Sequence, residues 1–427
     1  MAYEALTTSI FAPYLKNMWH RGRVNDMAAR KMAFWGWLNK TEDFFGEDQK
    51  VTIKYVNPQG RSKTFSKSQD NAKAGRAVRM SITRKSDYAT CYLSSETIEA
   101  AANDKGAIYR ALDPEIEGAM SNLLHSLQID LPRNGGGTRG QLNAAPTVPG
   151  GGAYDYIVLK SARDSKNFEV NQVLKAGTTN GVSATTFRST PSTATVVAID
   201  RSRSDGTSRL YFAAGTFSGT NWTTNDYLNV EGDIDATSLT GKAVKGVDAW
   251  IPYTAPSAGE SFNGVDRTTD VDRLAGLRKD CSLLSIENGI ITLAQEISDA
   301  GGDPDTCWVS PRRWGELEIS LGSKVRYDVV RGSGEMAQYG WRAITLSTDS
   351  GDIKVCADRG FSDTYFYLLK KETWRFHSLG QAPRAIKTDG NELLRVSNAD
   401  DVEFRAVYRG DLICDAPGHN GVGNLGT

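Results

Sequence analysis

The sequence is poor in the side chains that most often carry catalysis and metal binding. Only four histidines occur, His20, His125, His377 and His419, each in a separate segment. That spread argues against a histidine-based acid–base pair or metal cluster. The five cysteines, Cys91, Cys281, Cys307, Cys356 and Cys414, are odd in number, far apart and without a Cys-x-x-Cys. They are expected as free, partly buried thiols of a protein made in a reducing cytoplasm. No apolar run reaches the roughly 18 residues of a membrane span, and the first residues show no charged leader before an apolar core, so no secretory signal is expected. A phosphate loop, a Gly-x-Ser-x-Gly elbow and a His-Glu-x-x-His pair are all missing. The Gly-rich runs at 135 and 150 do not link a strand to a helix, so they read as links rather than phosphate cradles. Asp303 and Asp305 lie in turn-like sequence and need no acid–base role. Neither enzyme chemistry nor a cofactor or metal is expected. An excess of one charge is missing as well: 50 basic against 51 acidic side chains give a net charge of -1. A surface that binds nucleic acid all over is thereby excluded, while local patches are not.

What is present is organised around residues 94–134. Apolar residues recur there at Ile98, Ala101, Ile108, Leu112, Ile116, Met120, Leu123 and Leu127, the spacing of one helical stripe. Ser94 and Ser95 are N-cap types with Glu96 and Glu99 in the first turn, and Asp113-Pro114-Glu115 makes a second start. The pattern predicts a short helix, a break near Leu112, and a longer helix from Pro114 to about Ile129. At ~1.5 Å per residue the longer one spans roughly 24 Å. Leu131-Pro132 and the glycines at 135–137 stop it.

Residues 1–46 are dense in aromatics, Trp19, Phe34, Trp35 and Trp37 among them. Such a segment needs a cover and reads as an arm that packs on the body or on a neighbouring subunit. Residues 47–93 change to strand patterning: VTIKYV, a turn at 57–60, a polar middle and RAVRMSITRKSDYATCYL. Two flanks of roughly 18 residues at ~3.3 Å each would reach on the order of 60 Å. The excursion is too polar in the middle to form its own core, and is stable only when docked. Its charge is lopsided: Arg61, Lys63, Lys67, Lys73, Arg76, Arg79, Arg84 and Lys85 face only Asp70 between 61 and 85. Residues 94–118 reverse this with Glu96, Glu99, Asp104, Asp113, Glu115 and Glu117 against Lys105 and Arg110. A basic loop of one subunit docking over the acidic helix of another would be electrostatically steered; two solvated faces that never meet are the alternative.

Short strand-like runs between 150 and 258 (YDYIVL, FEVNQVLKA, TATVVAI, RLYFAAG, DYLNVEG, AVKGVDAWI) lie between Gly- or Pro-rich links. They predict a small β-barrel or sandwich inserted into the larger domain. Trp222 and Tyr227, if exposed, would offer a sugar platform; core packing explains them equally well. From 259 to 427 the chain mixes helix and strand, with an amphipathic helix ending at Gly301-Gly302 and a strand at 306–309. A helix after Ser310-Pro311, four further strands and a closing hairpin follow. The class is α+β.

The order of these segments resembles the major capsid protein of tailed bacteriophages, the Hong Kong 97-type fold. SSETIEAAANDKGAIYRAL running into NLLHSLQIDLPRNGGGTRG resembles the start and spine helix of the peripheral domain, here 94–149. CWVSPRRWGEL resembles the strand and Pro-led helix of the axial domain, and DDVEFRAVYRGDLICDAP the closing strand. The resemblance implies an extended loop at 47–93, an arm that clasps a neighbour, and an axial domain meeting at five- and six-fold centres. It further implies hexamers and pentamers closing an icosahedral shell, a separate scaffolding protein, a portal protein and non-specific contact with packaged DNA. A decoration protein is a further possible partner, and no membrane is involved. The location implied is the virion capsid, assembled in the host cytoplasm. Lysines are available for the Lys–Asn cross-links of some members, but no motif picks their partners. Two other classes fit less of the chain: an encapsulin-like nanocompartment shell, and a carbohydrate-binding or tail-associated β protein.

Overall fold

The computed structural model describes residues 32–96, 112–149, 152–321, 344–348, 351–387, 393–396 and 399–426. The chain divides into two compact units, one of residues up to Gln128 together with Tyr253 onward, the other Ile129–Pro252.

In the first unit one strand, Asp401–Cys414, runs for 14 residues. Along one edge it pairs antiparallel with Lys85–Ser94 over ten residues. Along the other it takes Leu393–Arg395, Arg384–Ala385 and Trp374–Ser378 in turn. Asn39–Thr41 adds in parallel to Trp374–Ser378. The expected closing hairpin is thus present, but it is one short part of a larger ladder. A second sheet has the order Leu277–Asp280, Gly421–Asn424, Tyr365–Leu369, Thr306–Val309, Gly351–Ala357 and Ile344–Thr348. Helices Ile286–Asp299 and Pro311–Leu321 pack on it through Ile290, Leu293, Ile297, Leu317 and Leu321, which share one core with Val309, Val355 and Leu368. Both starts follow from their caps. Ser285 accepts from Asn288 N–H at 3.3 Å, and Ser310 accepts from Arg313 N–H at 3.3 Å with Pro at the first helical position.

The organising helix runs Leu112–Asp130, burying Leu123 and Leu127. The predicted shorter helix lies largely outside the described residues. Near the helix end sits Asp358, almost fully buried. One carboxylate oxygen accepts from Phe34 N–H at 3.0 Å, the other from Gln128 Nε2 at 3.0 Å and Gly360 N–H at 2.8 Å. A single side chain therefore joins the arm, the long helix and the second sheet.

The second unit holds two small antiparallel sheets. One is Tyr154–Val158, Arg209–Ala213 and Ala198–Asp200; the other is Thr138–Gln141, Tyr227–Val230, Val173–Gly177 and Ala194–Thr195. Ile157, Leu210 and Phe212 of the first and Leu174, Ala176 and Leu228 of the second share one core. The predicted strand AVKGVDAWI is instead a helical turn, Val247–Trp250. Its reason is the close approach of Gly246 to the chain after the long helix, where a Cβ would come within 2.1 Å of the Leu131 carbonyl oxygen. Val247 N–H donates to that same carbonyl at 2.8 Å.

Burial pushes the Asp358 carboxyl above its ordinary range, with its hydrogen-bond donors pulling the other way. A raised native value means that the folded state holds the proton more tightly than the unfolded state. This residue's contribution to stability is therefore greatest below the ordinary aspartate range and is lost as pH rises through the native value. Asp358→Asn cannot titrate, so the wild-type urea midpoint should fall relative to the variant's as pH is raised from 4 to 7. A wild-type midpoint that rises relative to the variant's would show the sign to be wrong. Asp358→Ala, which orphans the donors, should cost about 3 kcal/mol at pH 4 and less at pH 7.

Candidate interaction surfaces

The excursion at 47–93 begins as a two-stranded ribbon, Asp48–Val56 against Arg76–Thr83, with Val51 opposite Met80 and Ile53 opposite Val78. Side chains alternate between its faces. One face carries Val51, Ile53, Tyr55, Val78, Met80 and Ile82, and Ile53, Tyr55, Met80 and Ile82 are buried. Ser81 N–H donates to the Asn263 carbonyl at 2.9 Å and the Arg273 guanidinium to the Tyr55 carbonyl, which fixes the ribbon on the body. The other face carries Lys50, Lys54 and Arg79, all exposed, and the half-buried Asp48, which accepts from Ser81 Oγ; Arg76, exposed at the far end, follows the register shift after Lys54. Lys50 and Lys54 were not among the predicted contact residues, although their alternation with Val51, Ile53 and Tyr55 in VTIKYV was the available signal.

The second predicted flank is not one strand. It breaks at Arg84: the first part completes the ribbon, while Lys85–Ser94 leaves it for the long strand. Arg84 is half-buried, its guanidinium 5.5 Å from the centre of the buried Phe44 ring, and Lys85 pairs in register with Gly410. These two bases belong to the base of the ribbon rather than its bare face. Nor is 57–60 the hairpin turn, because Gln59 bridges back to Lys73 and the chain continues to a tip with a short helix, Phe65–Asp70. No residue of that helix is buried. Arg61, Lys63, Lys67 and Lys73 are all exposed there; Lys67 pairs with Asp70 at 3.2 Å. Phe65 stands 77% exposed among them.

Of the acidic set, Glu96 and Glu117 are exposed and Glu115 is half-buried, its carboxyl pushed up by desolvation. Glu99 and Asp104 lie outside the described residues. A second acidic surface was not anticipated. Residues 42–47 present Glu42, Asp43 and Glu47 to solvent beside Phe45, which is 72% exposed. Asp43 is bound to His377 Nδ1 at 2.7 Å, and Phe44 N–H donates to the Ser378 carbonyl at 3.2 Å. With Phe44 buried and its neighbours tied, Phe45 is held outward.

Trp19 lies outside the described residues; the other three arm aromatics pack on this chain's own body. The helix Ala33–Trp37 buries Phe34 and Trp37, the Phe34 ring lying 5.1 Å from Trp308 and 5.2 Å from Phe361. Trp35 packs edge-on to Phe376 at 5.0 Å and carries Lys40 Nζ over its ring at 4.4 Å. Of the two covers expected for the arm, the body of the same chain takes up Phe34 and Trp37. The sugar platform is corrected as well. Trp222 is buried, packed edge-on to Phe217 at 5.0 Å, and donates Nε1–H to the Pro191 carbonyl at 2.8 Å. All five cysteines are free thiols, Cys91 half-buried and the rest buried. No three-residue His, Cys, Asp or Glu group that could hold a metal occurs among the described residues.

No family model matches the sequence, and no curated protein matches it. Solved structures do. The chain is similar over 98% of its length to a chain of the cyanophage A-1(L) capsid asymmetric unit, covering 97% of that chain, with a TM-score of 0.55 and 10% identity. It has a phage capsid fold. A chain from Mycobacterium phage Ogopogo aligns over 99% of both chains with a TM-score of 0.44 and 9% identity. One from the capsid of myovirus XM1 aligns over 95% of both with 0.42 and 8%. The resemblance drawn from segment order is borne out as a capsid fold, at an identity too low for single sequence motifs to carry it.

Within this capsid fold the arm is a folding element, which gives a direct test. Phe34→Ala should lower stability by about 3–5 kcal/mol in urea unfolding, the range for emptying a large buried aromatic site. Trp35→Ala, at a half-buried site, should cost clearly less. Equal and small effects would mean that the arm does not belong to the core.

Proposed function

We propose that this chain is the major capsid protein of a tailed phage, a Hong Kong 97-type subunit. In this reading it assembles as hexamers and pentamers into an icosahedral shell enclosing double-stranded DNA. The observation that carries the reading is the capsid likeness over nearly the whole of both chains. Assembly physics supports it. A shell repeats the same heterologous contacts around its axes, and the ribbon offers a surface for one of them, a basic strip whose one acid, Asp48 at the root end, is held by Ser81. Lys50, Lys54, Arg76 and Arg79 form no ion pair among the described residues. The strip and its tip would dock on acidic surface of a neighbouring copy, Glu96, Glu115 and Glu117 being one such surface. Near-neutral net charge lets many copies pack without large self-repulsion.

The same reading assigns the unit Ile129–Pro252 to an inserted domain and the second sheet to the axial domain at the five- and six-fold centres. A separate scaffolding protein, a portal protein, non-specifically held DNA and a decoration protein are the partners it entails. The role is structural rather than catalytic, in a virion capsid assembled in the host cytoplasm.

Negative-stain electron microscopy of the purified protein, with and without its co-expressed neighbouring genes, tests the proposal. Closed polyhedral shells or hexameric rings are expected, and dispersed monomers under both conditions would overturn it. Shells filled with a protein cargo instead of DNA would favour the nanocompartment. Arg76→Glu with Arg79→Glu should cut shell yield while leaving the subunit's unfolding midpoint unchanged, since both side chains are exposed. Arg84 is left out of that test because its guanidinium packs on Phe44. Normal shells from the double variant would remove the ribbon from assembly.

A further inference from the structure

The ribbon is polarised along its length. Its root holds exposed Glu42 and Glu47 around Phe45, next to the half-buried Arg84 and Lys85, while its tip is basic, with Arg61, Lys63, Lys67 and Lys73 around Phe65. Glu42, Glu47, Arg61 and Lys63 form no ion pair among the described residues. Each end therefore sets two charged side chains beside one large exposed ring, carboxylates at the root and bases at the tip, the composition of an interface anchor inside a polar rim. The two ends of one copy are held apart. Asp48–Val56 spans nine residues of extended strand between them, roughly 30 Å at ~3.3 Å per residue. Pairing with Arg76–Thr83 and burial of one face hold that span straight.

We infer that the tip of one copy docks on the root of another, Phe65 against Phe45, with Arg61 and Lys63 meeting Glu42 and Glu47. The inference rests on the capsid reading and names the receiving surface, residues 42–47, which is distinct from the acidic region of Glu96 and Glu117. Charge complementarity selects a second copy as the occupant, because both halves of the match are carried by this chain. A tip-to-root contact that is not returned by the same neighbour is heterologous, and repeating it generates a ring where the rotation closes.

Two sets of variants test the contact in assembled shells. Phe45→Cys with Phe65→Cys should, on oxidation, give a ladder of covalently linked copies on a non-reducing gel. Either single variant should give no ladder, since four native cysteines are buried and Cys91 is half-buried. Shells of normal shape without a ladder from the double variant would overturn the inference. Independently, Arg61→Glu with Lys63→Glu should lower shell yield roughly tenfold, as steered charge contacts do when reversed. Adding Glu42→Lys with Glu47→Lys should restore it. Rescue instead by Glu96→Lys with Glu117→Lys would overturn the inference and leave the capsid reading standing, with the acidic helix region as receptor. Unchanged yield from the reversed tip would also overturn it. If the wild type forms no shells under any condition, the capsid reading falls and the inference with it.

Discussion

The first unit depends on one long strand having partners along both edges. Asp401–Cys414 is buried on both faces for most of its length, through Phe404, Ala406, Val407, Tyr408, Leu412, Ile413 and Cys414. Strands covered on both faces read as apolar runs, and this one has two, Ala406–Tyr408 and Leu412–Cys414, on either side of Arg409, Gly410 and Asp411. Gly410 interrupts it where the partner strand comes closest: a Cβ there would meet the His377 carbonyl oxygen at 2.4 Å and the Phe376 ring at 2.9 Å. The buried Glu403 pairs with the exposed Arg405 of the same strand, and Tyr92 of the neighbouring strand donates to Glu403 at 3.1 Å. Everything proposed to reach outward is launched from this ladder. Lys85–Ser94 anchors the ribbon's return, and Trp374–Ser378 receives Asn39–Thr41 just before residues 42–47.

That dependence explains what the sequence disclosed. Elements fixed by local chemistry were legible: the helices capped at Ser285 and Ser310-Pro311, and the alternating face of VTIKYV, whose pattern states which side is buried. Elements fixed by a distant partner were not. RAVRMSITRKSDYATCYL is uniform in strand propensity, and nothing local marks Arg84 as the point where one partner is exchanged for another. The second partner lies about three hundred residues away, and propensity describes a pleated surface rather than its neighbour. AVKGVDAWI failed for a related reason: its β-rich composition was overruled by the backbone approach at Gly246. Trp222 could not be sorted into core or surface, because aromatic content is the same in both.

The interaction surfaces divide in the same way. The basic excess of 61–85 was visible as composition, but its arrangement was not. Arg84 turned out to be packing material, while Lys50 and Lys54 joined the bare face from outside the counted stretch. For the arm aromatics, the sequence left body and neighbour open. Their density called for a cover, which Trp308, Phe361 and Phe376 supply within the same chain. An aromatic count signals that burial must occur somewhere; only packing tells which molecule provides it.

A net charge near zero can arise from mixing or from segregation, and the two have different consequences for assembly. Mixed charges give a surface no direction. In this chain Glu42 and Glu47 stand at the ribbon's root and Arg61, Lys63 and Lys73 at its tip, so two copies meeting tip to tip bring like charges together. Exposed pairs of this kind contribute only about 0–1 kcal/mol each and act over a Debye length of about 8 Å at physiological salt. Such contacts are weak enough to break and reform, which suits a shell that must reject misplaced copies. The rings of Phe45 and Phe65 supply what the charges cannot, a larger gain realised only once water is excluded between them. On the proposed contact, charge chooses the orientation and the aromatic pair holds it.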